Sequence, residues 1–274
     1  MKKIAYQGYE GAFSHLTAVK RFGKGHHFVS APTFEKLFDL IESGEVDYGV
    51  IPIENSLIGS IYENYDLLFS KNLHFIYEEY TKIEHCLLTL SALSEVRRVF
   101  SHPKALEQCS LFFQKHPSIQ PIVHIDTAGA AQEISLLGDP SSAAIASSYA
   151  AECYNLHICQ RGIEDHPKNY TRFFIAAKHP QSIISPNKCS LLLRLAHSPG
   201  TLVEALQCLS QNKINITKME SRPFRGSFFE YIFYIDFEFH MEEKESIDKT
   251  LLELSSKVLM LKLLGFYHAC IEQA

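Results

Sequence analysis

The sequence predicts an α/β fold followed by a smaller α+β fold of βαββαβ order. Three observations carry that prediction. Short apolar runs alternate with helix-period segments through the first 178 residues or so, the pattern of a largely parallel sheet with helical crossovers. The stretch KHPQSIISPNK, 178–188, then places two prolines, two serines and an asparagine between strand-like runs, as a linker does. Beyond it the elements fall in the ferredoxin-like order. The expected domains are 1–178 and 188–274.

In the first part KIAYQG precedes the helix-like SHLTAVKRF, and DYGVIPI precedes SIYENYDLLF. VRRVFS leads into HPKALEQCSLFFQ and IVHID into TAGAAQEISLL, and AECYNLHICQ holds a short strand after the Ala-rich SSAAIASSYAA. EHCLLTLS adds a strand midway, which suits two lobes. In the second part CSLLLRLA reads as a strand and GTLVEALQCLSQN as a helix. INITKMESRP and FFEYIFYIDFEF alternate like a hairpin. ESIDKTLLELSSKV is helical by the spacing of Ile247, Leu251, Leu254 and Val258, and LMLKLLGFYH closes as a strand.

Composition narrows the function classes. The formal charge is −5, from 26 basic and 31 acidic residues, so nucleic-acid binding has no electrostatic support. Seven scattered cysteines without a C-x-x-C pair suit a reducing cytosol. The start, MKKIAYQGYEG, lacks the apolar core of a signal peptide. No apolar run reaches the roughly 18–20 residues of a membrane span. A cytoplasmic chain with no membrane partner is expected. CYNLHIC sets His157 between Cys153 and Cys159, but no second cluster accompanies it, and the reading is structural burial with no metal.

Small polar residues recur where strands give way to helices: Ser14, Ser56, Ser60, Ser101, and Asp126 with Thr127. Ser60 and Glu63 have capping-box spacing, and Pro103 sits early in its helix. Each alone is an ordinary cap worth about 1 kcal/mol. As a set they share one edge of a parallel sheet, where helix N-termini converge on a crevice and attract anions. The predicted ligand is a small carboxylate. In NYTRFFIAA, 169–177, Arg172 stands at the mouth of a strand, either as a bidentate carboxylate clamp or paired with Glu164 or Asp165. Thr171 beside it could donate a hydrogen bond or proton to a leaving oxygen.

QGYEGAFS, VIPIENSLIGSI, SHPKALEQC, DTAGAA, AAIAS and IEDHPKNYTRF together make the first part resemble the prephenate dehydratase family, with the motifs in family order. The second part resembles an ACT regulatory domain through SPGTLVEAL and INITKMESRP. The resemblance implies two lobes like a periplasmic binding protein with the active site between them. It implies conversion of prephenate to phenylpyruvate with loss of water and carbon dioxide, without a cofactor. Phenylalanine would feed back through the ACT domain at an interface between copies, so a homodimer or homotetramer is expected.

Carried over by motif, the catalytic residues are Thr171, Arg172, Glu54, Asn55 and Ser56, and the substrate-binding ones Ser101, Gln108, Asp126, Thr127 and Asn169. One effector wall is Gly200, Thr201, Leu202 and Val203, and the other Asn215, Glu220, Ser221 and Arg222. Ala12 departs from the family's common hydroxyl residue, Thr201 from its alanine and His268 from its proline. Two other readings stay open: an arogenate dehydratase, and a non-catalytic amino-acid sensor.

Overall fold

The computed structural model describes residues 1–224 and 230–270. By packing, the chain divides into two compact units, 1–61 with 79–173 and 62–78 with 174–274. The expected linker, 178–188, follows one strand and runs to the start of the next.

The first unit begins with β1 (Lys3–Gln7), α1 (Phe13–Phe22), β2 (His27–Ala31), α2 (Phe34–Ser43), β3 (Tyr48–Asn55) and the short β4 (Gly59–Ser60). β1 pairs in parallel with β2 and with β3. The sheet continues through β11 (Tyr170–Ala177) to β5 (His74–Lys82), two strands along which the chain passes from one unit to the other. Helix α2 is amphipathic. Leu37, Phe38 and Ile41 are buried, Thr33 Oγ1 caps it by accepting from Lys36 N–H at 3.1 Å, and Gly44 ends it in the left-handed region.

The second lobe of this unit holds β6 (Cys86–Thr89), β7 (Arg98–Ser101), α4 (Pro103–Gln108), α5 (Ser110–Lys115) and β8 (Gln120–Val123). It is completed by α6 (Thr127–Leu137), β9 (Ser142–Ala146), α7 (Ser148–Tyr154) and β10 (His157–Gln160), with strand order β10-β6-β9-β7-β8. The pairing is less parallel than the alternation predicts. β7 runs parallel to β8 and β9, whereas β6 runs antiparallel to β9 and β10. β9 lies inside the Ala-rich segment. All five of its residues are buried, and Ala144 and Ala146 pack with Ala128, Ala130 and Ala131 of α6. Close helix-to-strand packing overrides alanine's helical preference there.

The second unit contains β12 (Lys188–Arg194), α8 (Thr201–Gln211), β13 (Asn215–Pro223), β14 (Tyr231–Glu238), α9 (Lys244–Lys257) and β15 (Met260–Tyr267). Strand order β13-β14-β12-β15 makes it ferredoxin-like, as predicted. The expected hairpin strand began at Phe228, and Phe228 and Phe229 lie outside the described residues. Helix α3 (Tyr62–Ser70) and the start of β5 pack with this unit: Tyr65, Leu68 and Phe75 surround a small void with Leu191, Tyr234 and Leu264. A Cβ on Gly265 would lie 2.2 Å from the Phe75 carbonyl oxygen, so only glycine allows that approach. Among the described residues no helix is long and apolar enough to cross a membrane.

Candidate active site

Within the first unit, one chain of side-chain hydrogen bonds gathers residues far apart in sequence. Asn55, at the end of β3, donates from Nδ2 to Thr171 Oγ1 at 3.0 Å and to Asn169 Oδ1 at 2.7 Å. Its Oδ1 accepts from the N–H groups of Leu57 and Ile58, which locks the turn after β3 and fixes the amide. Asn169, fully buried, donates from Nδ2 to Gln108 Oε1 at 3.1 Å, and His85 Nε2 meets the same oxygen at 2.9 Å. With Gln108 Oε1 accepting twice, His85 carries its proton on Nε2. Burial pushes the His85 imidazole below its usual range, so it is neutral at pH 7.

Two consequences follow at Thr171. Its oxygen already accepts from Asn55, and among the described residues nothing accepts its proton. The hydroxyl is therefore held as a donor. It is also nearly buried, at 8% exposure, which raises the value of any bond it makes to a ligand. Gln108 Nε2 and His85 Nδ1 are buried polar atoms without partners in the same network.

Arg172 has a different place. Consecutive residues of β11 face opposite sides of the sheet. Thr171 meets Asn55 on one face, while Arg172, 3% exposed, lies with its Nη1 3.4 Å from Glu54 Oε1 on the other. Glu164 accepts the His85 N–H and Asp165 accepts from Ser110 and Leu111 N–H, so the two carboxylates weighed as Arg172 partners have other duties. Ser56 binds the strand entry, accepting the Tyr170 N–H at 3.0 Å and donating to the Lys168 carbonyl at 3.2 Å.

The helix N-termini are not equivalent. Asp126 caps α6, its Oδ1 accepting from Ala128 and Gly129 N–H, with Thr127 as the first helical residue. The position expected to attract an anion thus already holds a carboxylate. Ser101 is fully buried and donates to the Ile145 carbonyl at 2.6 Å, and the cap of α4 is His102 Nδ1. Ser60 pairs opposite Glu54 in β4. Ser14 lies inside α1, whose N-cap is Ala12 with no side-chain bond. In the first unit the first amides of α1 are therefore left without a side-chain cap, and the Phe13 ring sits 5.7 Å from the His85 ring.

Sequence reasoning missed His85, Gly11 and Ser147. Ser147 caps α7 and donates to the Gly11 carbonyl at 2.6 Å, joining the lobes. Gly11 has φ +84°, and a Cβ there would lie 2.6 Å from Ala150 Cα. The signal available for Ser147 is the AAIAS motif, which ends on it.

In the second unit Thr201 and Leu202 line a cavity of about 110 Å³ with Leu195, His197 and Phe233. Gly200 caps α8 at φ +90°, and Val203 is exposed. Strand pairing puts Ser221 on the face of Phe233 and Ile235, whereas Asn215, Glu220 and Arg222 share the opposite face with Tyr234 and Asp236, a bulge at Thr217 intervening. The eight expected effector residues are therefore not brought to one pocket within a single copy. Arg222 instead grips Asp66 of α3 through Nε and Nη2, both 3.2 Å, and stacks 4.5 Å from the Tyr62 ring centroid.

Fold and site define a two-lobed α/β chain with a buried amide–hydroxyl relay, continuing into a ferredoxin-like unit. The prephenate dehydratase family model matches residues 4–181, and the chain belongs to that family. It is 35% identical over 273 residues to a bifunctional chorismate mutase/prephenate dehydratase of Aquifex aeolicus, covering 99% of this chain and 75% of that one. It is 38% identical over 281 residues to arogenate dehydratase/prephenate dehydratase 2, chloroplastic, of Arabidopsis thaliana, covering 97% and 72%. Two solved structures are similar over nearly the whole chain. One is GqqA, described as a novel type of quorum quenching acylase, with TM-score 0.88 and 33% identity over 98% of both chains. The other is prephenate dehydratase from Arthrobacter aurescens in complex with L-Phe, with TM-score 0.86 and 25% identity over 97% and 90%.

Proposed function

We propose that the chain is a prephenate dehydratase in which the Thr171 hydroxyl donates to the leaving ring hydroxyl. The observation that carries this reading is the Asn55 bond, which occupies the threonine oxygen and leaves its proton for the substrate. Loss of carbon dioxide supplies the electron pair that expels hydroxide, and a hydrogen bond or proton from Thr171 stabilises the departing oxygen. The ring gains aromaticity, so no redox partner is needed. The pyruvyl carboxylate keeps its charge throughout, and the uncapped first turn of α1 is the anion site that suits it. The leaving carboxylate is best held weakly, since a tight ground-state grip opposes its departure. Arg172, facing away with Glu54, supports the strand in this reading.

The likeness to GqqA raises amide hydrolysis as a comparison. A threonine nucleophile needs a base accepting its proton, and among the described residues Thr171 has only the Asn55 donor. That favours the lyase. Purified protein given prephenate, arogenate and an N-acyl amide side by side decides it. Phenylpyruvate from prephenate is expected; faster turnover of either other substrate, or of none, overturns the reading.

The βαββαβ unit reads as an ACT domain, with the catalytic part at 1–178 and the regulatory part at 188–274. Phenylalanine is its proposed effector, in line with the L-Phe complex of the Arthrobacter relative. Because the expected effector residues split between two faces of β13, a site joining residues 200–203 of one copy to β13 of another fits them best. Inhibition retained by a strictly monomeric variant would count against this.

A further inference from the structure

A cavity of about 590 Å³ opens in the first unit beside α1, separate from the Asn55–Thr171 relay, with Tyr6, Glu10, His15, Lys24, Tyr149 and Tyr154 in its wall. Two of its polar atoms are buried without a partner: His15 Nε2 and the Tyr154 hydroxyl. His15 is 3% exposed, stacked on Tyr6 with ring centroids 4.4 Å apart, and its Nδ1 accepts the Gly11 N–H at 3.0 Å. That bond fixes the tautomer, so Nε2 carries the proton and needs an acceptor.

Glu10, His15 and Cys153 offer ligand atoms within 4.8 Å of one another, which could suggest a metal. The tautomer argues otherwise, because a protonated Nε2 has no lone pair to give. The Cys153 thiol is pushed up to about 11, first by burial and then by Glu10, so it too keeps its proton. The wall instead presents fixed neutral donors next to an exposed carboxylate, Glu10, that makes no ion pair among the described residues. Lys24 is already matched with Glu152 at 3.2 Å.

We propose that this cavity is a second small-molecule site, which takes an α-amino carboxylate in zwitterionic form. The ligand carboxylate accepts from His15 Nε2–H and the Tyr154 hydroxyl, and its ammonium meets Glu10. The Tyr6 and Tyr149 rings leave room for an apolar or aromatic side chain. A carboxylate alone would face Glu10 uncompensated, and an amine alone would leave both donors unmet. The site does not depend on the dehydratase reading.

The test follows the ring nitrogens of ¹⁵N-histidine-labelled full-length protein by NMR during titration with glycine, leucine and phenylalanine. His15 reports this cavity, while His197 reports the cavity of the second unit. A saturable shift at His15 Nε2 is expected, with affinity falling about tenfold in Tyr154→Phe and in Glu10→Gln. A matched series of carboxylates lacking the amine is expected to bind at least tenfold more weakly. The proposal is overturned if His15 does not respond up to about 10 mM of any amino acid. It is equally overturned if both variants bind like wild type, if the amine-free carboxylates bind as well, or if Zn²⁺ displaces the Nε2 proton.

Discussion

Asn55 Nδ2 donates to Thr171 Oγ1 at 3.0 Å, across 116 positions of sequence. This bond decides what the threonine can do, because an oxygen that already accepts from an amide is biased to give its own proton outward. Thr171→Val keeps the shape and removes the donor. It is expected to lower kcat by about 10²–10³, the range for losing one preorganised donor, with KM little changed. Thr171→Ser is expected to stay within about tenfold of wild type. Steady-state kinetics of the pair are the check, and a Val variant as fast as wild type removes Thr171 from the reaction.

Arg172 makes the opposite prediction. Its 3% exposure and its Glu54 partner mark it as buried support on the far face of β11. Arg172→Met is expected to cost about 2 kcal/mol in stability, because the buried guanidinium and its charged bond to the partly exposed Glu54 are lost. Below the variant's Tm, KM for prephenate is expected to stay within about threefold. A carboxylate clamp would give the reverse: an intact Tm and a KM raised a hundredfold. Thermal melts and kinetics on one preparation separate the two.

Much of this site was legible in the sequence, and the reasons for the failures are specific. Glu54, Asn55, Ser56, Thr171 and Arg172 stand in contiguous motifs, so they were found together. Strand alternation puts Thr171 and Arg172 on opposite faces of β11, so a donor and a clamp there cannot share one ligand. Asp126 was readable as a cap, but only geometry shows that its carboxylate fills the anion position it seemed to create. His85 joins the relay through Gln108, 23 residues away, and no local pattern announces such a pairing. Helix α2 was missed although Phe34, Leu37, Phe38 and Ile41 have helical spacing. β9 was missed because alanine-rich runs read as helix until their packing partners are known.

Burial holds the His15 imidazole down at about 4, against about 6.5 in an unfolded chain. Between those values the unfolded chain takes up a proton that the folded one refuses. The neutral histidine's contribution is therefore complete above about pH 6.5 and is lost as pH falls toward 4. From pH 7.5 to 5 the loss amounts to about 2 kcal/mol. His15→Phe preserves the stack on Tyr6 but cannot titrate. Urea unfolding at both pH values is expected to show a drop smaller by that amount in the variant. An equal drop in both proteins would falsify the assignment.

The ion pair of Arg222 with Asp66 carries the prediction on regulation. Glu220, Ser221 and Arg222 form the segment proposed to take part in effector binding, and Asp66 lies on α3, which the chain enters shortly after Asn55 and the turn it locks. A shift of β13 on binding the proposed effector would pull on α3 through Asp66 and the Tyr62 ring. Asp66→Asn keeps the side-chain shape and removes the charge that holds the guanidinium. Prephenate turnover without effector is expected to stay within about twofold. The phenylalanine concentration for half inhibition is expected to rise about tenfold, a coupling loss of about 1.4 kcal/mol. Calorimetry of phenylalanine binding distinguishes lost coupling from lost affinity, since reciprocity requires the effect of prephenate or its analogue on phenylalanine affinity to shrink by the same factor. Inhibition curves that superimpose on wild type would show that the signal travels by another route.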